Sequence, residues 1–242
     1  MSYSRFEEVM ATKYPTYQWE AIKTTTSDEY ILTIFHVWNE EKKNELGPKG
    51  PVFFQHGRGG DGTSFLDTGG LTAWSAGPAP MIQIADLGHD VYLGSNRGTE
   101  YSNGHNSIAT PADDPEAYWD YDLDGLALDV LANTRAMTEN AGNGKGWYIG
   151  YSQGTIQAIV ALSKYESELE NYLERAILLA PCFGVSGDEL AKRLYADYFV
   201  NEMKKLDIYA TNSSTWEADV VKICAESTED LCEYATSIKP SQ

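Results

Sequence analysis

Apolar residues in this chain gather into short, nearly continuous runs. Pro51-Val52-Phe53-Phe54 leads into Gln55-His56-Gly57, and His89-Asp90-Val91-Tyr92-Leu93-Gly94, Trp147-Tyr148-Ile149-Gly150 and Ala176-Ile177-Leu178-Leu179-Ala180 follow. Runs this short suit parallel strands buried on both faces. Between them, residues 122–137 carry Leu123, Leu126, Ala127, Val130 and Leu131 at helical spacing. Residues 155–165 do the same with Ile156, Ile159, Val160 and Leu162. Strands alternating with helices predict an α/β architecture with a mostly parallel sheet. Upstream, residues 19–24 and 30–37 are β-rich and are separated by Thr25-Thr26-Ser27-Asp28-Glu29, which predicts a hairpin of antiparallel edge strands. From Phe183 onward the chain becomes helical and polar-rich without a further clear strand. The organisation predicted is therefore a sheet-bearing core over 1–182 and a helical appendage over 183–242.

One turn carries a candidate chemistry. Gly150-Tyr151-Ser152-Gln153-Gly154 directly follows the apolar run at 147–149 and directly precedes the helical stretch 155–165. A G-x-S-x-G at a strand-to-helix junction puts its serine on a tight, strained turn that lifts the hydroxyl above the sheet. Gly150 and Gly154 let neighbouring chain approach closely, and the helix N-terminus offers backbone N–H groups to an oxyanion. His56-Gly57-Arg58-Gly59-Gly60 follows the strand at 51–54, where acyl transfer of this kind takes its second N–H donor. Ser152 is thus the candidate nucleophile, the N–H groups of Arg58 and Gln153 the candidate oxyanion hole, and His56, Gly57, Gly150 and Gly154 the supporting positions.

Composition narrows the picture. The 242 residues carry 18 Lys and Arg against 36 Asp and Glu, a net charge of −18, which argues against nucleic acid and anionic membranes as partners. No apolar run approaches the roughly 18 residues of a membrane span. The opening Met1-Ser2-Tyr3-Ser4-Arg5-Phe6-Glu7-Glu8 has no apolar signal core. Of three cysteines, Cys182 follows an apolar strand and is expected to be buried and inert. Cys224 and Cys232 would lie about 12 Å apart on one continuous helix, too far to bridge, whereas a turn at Ser227-Thr228-Glu229-Asp230 would bring them together. The cysteine spacings do not suggest a zinc site, and no metal or other cofactor is expected. Asn212-Ser213-Ser214 fits a glycosylation acceptor.

Motifs from residue 14 to 182 resemble, in order, those of the acid lipases of the gastric and lysosomal type, members of the α/β-hydrolase fold. Tyr14-Pro15 and Ser27-Asp28-Glu29-Tyr30-Ile31-Leu32 resemble the family's Y-P and E-D-G-Y-I-L, with Glu29 where the family favours glycine. Phe54-Gln55-His56-Gly57 is similar to L-Q-H-G. Leu87 to Gly98, with Tyr101-Ser102 and His105, resembles A-G-Y-D-V-W-L-G-N-x-R-G and the Y/W-S … H after it. Tyr118-Trp119-Asp120-Tyr121 with Asp124 resembles F-W-x-F-S-x-D-E; residues 148–155 nearly match the family's serine motif, and Leu178-Leu179-Ala180-Pro181 resembles A-L-A-P. The resemblance implies hydrolysis of carboxylic esters, typically triacylglycerols or sterol esters, by Ser152. It also implies a secreted or lysosomal setting, a helical cap beginning after residue 183, and Cys224 and Cys232 as the cap's cysteine pair. Arg58 stands where the family usually has an apolar residue.

The triad in this fold runs Ser, Asp, His, yet no histidine follows Ser152. His36 lies in a β stretch, His56 in the oxyanion loop, His89 opens a strand and His105 lies in a loop. Asp188 and Asp207 fall in cap-like sequence, and neither is assigned as triad acid. By the resemblance, the missing Asp and His would lie on strands beyond Gln242. The strand at 176–180, apolar on both faces with no obvious strand after it, would then stand at a sheet edge and pair with a complementing polypeptide. The alternative is a catalytically inactive hydrolase-fold subunit serving a structural or binding role.

Overall fold

The structure, a computed structural model, describes residues 3–66, 78–142, 144–181, 201–206, 208, 216–226 and 232. The readings placed on Cys182, Asp188, Asp207 and Asn212-Ser213-Ser214 lie outside the described residues. Two compact units divide the chain: Met1–Asp114 with Asp120–Cys182, and Pro115–Trp119 with Phe183–Gln242.

The first unit is a seven-stranded sheet in the order β1-β2-β4-β3-β6-β7, with β5 paired to β2. β1 (Gln18–Thr25) and β2 (Tyr30–Trp38) form the predicted antiparallel hairpin. Its turn places Glu29 at φ 75°, a conformation that favours glycine and that explains the family's preference there. β2 is not an edge strand as expected, because β4 (His89–Gly94) pairs antiparallel along its other side. β3 (Lys49–Gln55) runs parallel between β4 and β6 (Gly146–Tyr151), and β7 (Leu173–Leu179) runs parallel beyond β6. β5 is only Gly104–His105.

The continuous apolar runs split by strand alternation. Val52, Phe54, Val91, Leu93 and Ile149 face a core layer that includes Phe6, Val9 and Met10 of α1 (Ser4–Lys13) and Met81, Ile82 and Ala85 of α3 (Pro80–Ala85). Phe53, Tyr92 and Tyr148 face Ala127, Val130 and Met137 of α5 (Leu123–Asn140) and Ala158 and Ala161 of α6 (Gln153–Leu169). Asp122 caps α5 by accepting from the N–H of Asp124, which is why the helix starts there. The sequence reading did not identify α1, α2 (Glu40–Leu46), α3 or the short helix α4 (Pro115–Tyr118). Among the described residues β7 is outermost, as expected, but not buried on both faces: Ile177 and Leu179 remain 38% and 42% exposed.

In the second unit, residues 201–205 are helical and a further helix spans Trp216–Glu226. Met203, Ile208 and Ile223 form its small core. Cys224 and Cys232 are bonded; the turn expected at Ser227-Thr228-Glu229-Asp230 lies outside the described residues. Among the described residues no helix is long and apolar enough to cross a membrane.

A buried ion cluster ties three parts of the first unit together. Arg97, in the loop after β4, has a fully buried side chain. Its Nε donates to Asp129 Oδ1 of α5 at 2.7 Å and its backbone N–H to Asp129 Oδ2 at 2.8 Å. Its two terminal nitrogens donate to Asp28 in the β1–β2 turn at 2.5 and 3.0 Å. The guanidinium also lies 4.0 Å from the Tyr30 ring centroid. Burial pushes the Asp129 carboxyl up to about 6, with Arg97 pulling the other way. Burial also raises Asp28, but the hydrogen bonds and charge of Arg97 outweigh it and hold that carboxyl below its usual range.

Arg97→Met is expected to cost about 3–5 kcal/mol at pH 7, because it leaves Asp129 buried without its cation. Asp129 binds its proton more tightly folded than unfolded, so its contribution to stability is full below the unfolded carboxyl range and is lost as pH rises through about 6. The penalty of Arg97→Met should therefore shrink as pH falls through about 6, because Asp129 is then neutral in the wild type as well and the ion pair that the variant lacks no longer counts. Urea unfolding of both proteins at pH 5 and pH 7 checks this; a penalty equal at the two values would contradict it.

Candidate active site

Ser152 sits between β6 and α6 at φ 50°, ψ −114°, a left-handed backbone that an L-residue adopts only when its surroundings impose it. Three contacts impose it. The Ser152 N–H donates to the Leu179 carbonyl at the end of β7 at 3.0 Å. The Ser152 carbonyl accepts from the Thr155 N–H at 2.9 Å and from the Thr155 hydroxyl at 2.6 Å. The flanking glycines admit backbone where a side chain would collide. A Cβ on Gly150 would stand 2.5 Å from the Gly154 carbonyl oxygen, and one on Gly154 would stand 2.5 Å from the Gln55 carbonyl oxygen. Tyr148, fully buried below the turn, donates its hydroxyl to the Gly154 carbonyl at 2.7 Å. Ser152 is the residue that precedes α6, yet its hydroxyl makes no capping bond to the helix. The hydroxyl is therefore not consumed by local structure, as it is at an ordinary serine N-cap.

The loop after β3 lies against this turn. A Cβ on Gly57 would be 3.0 Å from Ser152 Cβ and 3.3 Å from the Tyr151 carbonyl oxygen, so Gly57 lets the two segments touch. His56 is buried, and both its ring nitrogens are engaged. Nε2 accepts from the Asn96 N–H at 3.1 Å. That leaves Nδ1 protonated, donating to the Gly57 carbonyl at 2.7 Å. The Gly57 carbonyl also accepts from the Gly60 N–H at 3.2 Å, closing a turn in which Gly59 has φ 73°. A trans peptide sets the Arg58 N–H opposite the Gly57 carbonyl, so the bond from His56 orients that N–H away from the imidazole. Burial lowers the His56 pKa and keeps the ring neutral, against the Gly57 hydrogen bond.

Sequence reasoning missed Asn96 and understated Gln55. Gln55 Nε2 donates to Asn96 Oδ1 at 3.0 Å, and both residues are buried, so Asn96 is gripped by Gln55 while its N–H holds His56. Polar residues at the inner ends of two apolar strands were the available signal.

No histidine is placed to serve Ser152 as a base. His36 is stacked against Tyr92 with ring centroids 4.5 Å apart, and its ring nitrogens meet Glu20 at 3.1 Å and Asp90 at 2.7 Å. It belongs to β2, three strand positions from β6, roughly 14 Å away at ordinary strand spacing. His89 opens β4 and meets the Gly50 carbonyl at 2.7 Å, at the opposite end of the parallel strands from Ser152. His105 is in β5 rather than in a loop, beside Tyr30 at the start of β2. His56 has no free nitrogen. Among the described residues no group of three or more His, Cys, Asp and Glu could hold a metal ion.

Two outcomes test this geometry. His56 has a folded pKa below its unfolded one, so its contribution to stability is present above about pH 6.5 and is lost as pH falls through the folded pKa. His56→Gln should cost about 1–3 kcal/mol at pH 7.5 by orphaning a buried partner, and that difference should narrow below pH 6.5. Chemical unfolding across pH 5.5–7.5 reads it, and a gap that widens on acidification would refute the neutral, doubly bonded ring. Gly154→Ala should lower stability by at least about 1–3 kcal/mol, since its methyl meets backbone rather than a movable side chain. A melting temperature unchanged by this substitution would show that the β3 loop does not press on the turn.

Residues 50–217 match the family described as alpha/beta hydrolase fold, and residues 10–69 match the one described as partial alpha/beta-hydrolase lipase region. The chain is 29% identical over 224 residues to Lipase lipl-1 of Caenorhabditis elegans, covering 90% of this chain and 52% of that protein. It is 29% identical to the human lysosomal acid lipase/cholesteryl ester hydrolase, covering 66% of this chain and 38% of that one. It is 32% identical to the gastric triacylglycerol lipase of Bos taurus, covering 62% and 36%. The chain thus spans about half, or less, of the length of these relatives. Among solved structures, an esterase of Pyrococcus furiosus aligns over 76% of this chain and 56% of its own, with a TM-score of 0.47 and 17% identity. With a match over most of its length to that family and with these relatives, the chain belongs to the α/β-hydrolase fold family, where its resemblance is to the acid lipases.

Proposed function

We propose that this chain carries the nucleophile and oxyanion elements of an acid-lipase-like ester hydrolase acting on lipid esters, acylglycerols or sterol esters. Ser152 attacks the ester carbonyl carbon, the alcohol leaves, and water hydrolyses the resulting acyl-enzyme. The N–H groups of Arg58 and Gln153 stabilise the negative charge that develops on the carbonyl oxygen. Gln153 opens α6, where the first N–H groups have no partner within the helix. His56 and Gly57 orient the Arg58 peptide, while Gly150 and Gly154 permit the turn. The observation that carries this reading is the strained Ser152 backbone, φ 50°, with a hydroxyl free of any capping bond. The relatives' names supply the lipid-ester class.

A serine hydroxyl is a weak nucleophile without a base. All four histidines precede Ser152 in the sequence, and none is placed beside it. The triad Asp and His therefore come from a complementing segment, and the outer edge of β7, with its exposed Ile177 and Leu179, is where a further parallel strand would pair. The helical residues 201–205 and Trp216–Glu226 fit the helical cap that the resemblance implies after residue 183. The same histidine geometry favours a second reading, an inactive hydrolase-fold subunit with a structural or binding role.

Incubating the purified chain with a fluorophosphonate separates these readings. The expected result is slow labelling confined to Ser152 and abolished by Ser152→Ala, with short-chain ester turnover several orders of magnitude below that of a complete triad. Brisk turnover lost in Ser152→Ala would place the base within this chain. A folded chain that never labels would leave the inactive subunit.

A further inference from the structure

Five arginines lie among the described residues, and four of them have partners. Arg5 meets Asp61, Arg97 is held by Asp28 and Asp129, Arg135 donates to the Thr25 carbonyl, and Arg175 lies over the Trp147 ring. Arg58 alone makes no hydrogen bond or ion pair among the described residues, and it is exposed. In a chain with twice as many acidic as basic residues, an unpaired guanidinium is uncommon. It also sits at a particular place: the preceding residue, Gly57, touches Ser152.

We infer that Arg58 selects for esters bearing an anionic group, a carboxylate or a phosphate, within reach of its side chain from the scissile carbonyl. This rests on the reading of Ser152 as nucleophile and of residues 56–60 as the oxyanion loop. If the Arg58 N–H faces the carbonyl oxygen, its side chain starts from the same residue and stays close to the substrate. A purely apolar acyl chain settling there would desolvate the cation without compensating it, which is unfavourable. An anionic oxygen would instead take charge-assisted, two-pronged hydrogen bonds from the guanidinium. The net charge of −18 repels anions at long range, so their recognition needs a local cation with no acidic partner of its own. Asp61, the acidic residue three positions on, is taken up by the Thr63 N–H at 2.7 Å and by Arg5 at 3.4 Å. The exposed Tyr151, next to Ser152, gives the same neighbourhood an apolar surface, so the ligand expected is an ester with both apolar and anionic parts.

The test compares matched esters on the wild-type protein, Arg58→Leu and Arg58→Lys. 4-Nitrophenyl butyrate is the neutral ester; mono-4-nitrophenyl glutarate carries the anion on the acyl side, and 3-carboxy-4-nitrophenyl butyrate carries it on the alcohol side. For one of the two anionic esters, the ratio of its kcat/KM to that of the neutral ester should fall about tenfold in Arg58→Leu, chiefly through KM. The ratio should be partly kept in Arg58→Lys, and it should weaken in the wild type as salt is raised. Which ester responds assigns the anion to the acyl or the alcohol side. Ratios unchanged by Arg58→Leu for both esters would overturn the inference. Calorimetric binding of monoethyl and diethyl glutarate needs no turnover. A wild-type preference for the monoanion that Arg58→Leu abolishes supports the inference even where hydrolysis at Ser152 fails, and equal binding of the two overturns it.

Discussion

Three backbone segments meet at Gly154 with no side chain between them, and the rest of the site depends on that closeness. The Gln55 carbonyl lies where a Cβ of Gly154 would be, and the Gly154 carbonyl lies where a Cβ of Gly150 would be. β3, β6 and the first turn of α6 are therefore in direct contact at one end of the sheet. Ser152, between them, takes φ 50°. The strain is sustained because β6 is paired in parallel with β3 on one side and β7 on the other, so the turn cannot relax without moving the sheet.

The loop after β3 inherits its order from a chain of polar contacts that ends in the buried ion cluster. Consecutive backbone N–H groups do the joining: that of Asn96 holds His56, and that of Arg97 holds Asp129. The guanidinium of Arg97 then reaches Asp28 in a hairpin turn two strands away from β3. A loop that would otherwise be free to open is thus tied to α5 and to the β1–β2 turn through charged, desolvated partners. Breaking one such partner leaves the other buried and unpaired, which makes this network costly to disturb.

Much of this was legible in the linear pattern. The strands at 51–54, 89–94 and 147–150 and the helices at 122–137 and 155–165 all appear, the strand at 89–94 with the same bounds and the others extended by a few residues, because tight alternation of buried runs and amphipathic segments leaves few other arrangements. α1 was also legible and went unread: Phe6, Val9 and Met10 repeat at helical spacing, and Phe6 stacks on Phe35 with ring centroids 3.7 Å apart. The position of β2 inside the sheet was not legible, because local sequence does not say which strand a hairpin will pair with next. The same holds for Asn96, whose importance lies in a neighbour 40 residues away.

The sequence by itself determined the chemistry on offer: a serine between two glycines at a strand-to-helix junction, a glycine-rich loop after an earlier strand, and histidines only upstream of that serine. These are local matters, set by residue type and spacing. Tertiary structure alone decided which of the histidines were already committed. His36 is held between Glu20 and Asp90, and His56 between Asn96 and Gly57. It also decided that Cys224 and Cys232 meet, and that β7 stands at the margin with apolar side chains in view of solvent. The physical reason is common to all of these. A hydrogen bond, a disulfide or a covered face requires two groups to arrive at one place, and residues far apart in sequence are brought together only by the packing of the whole sheet.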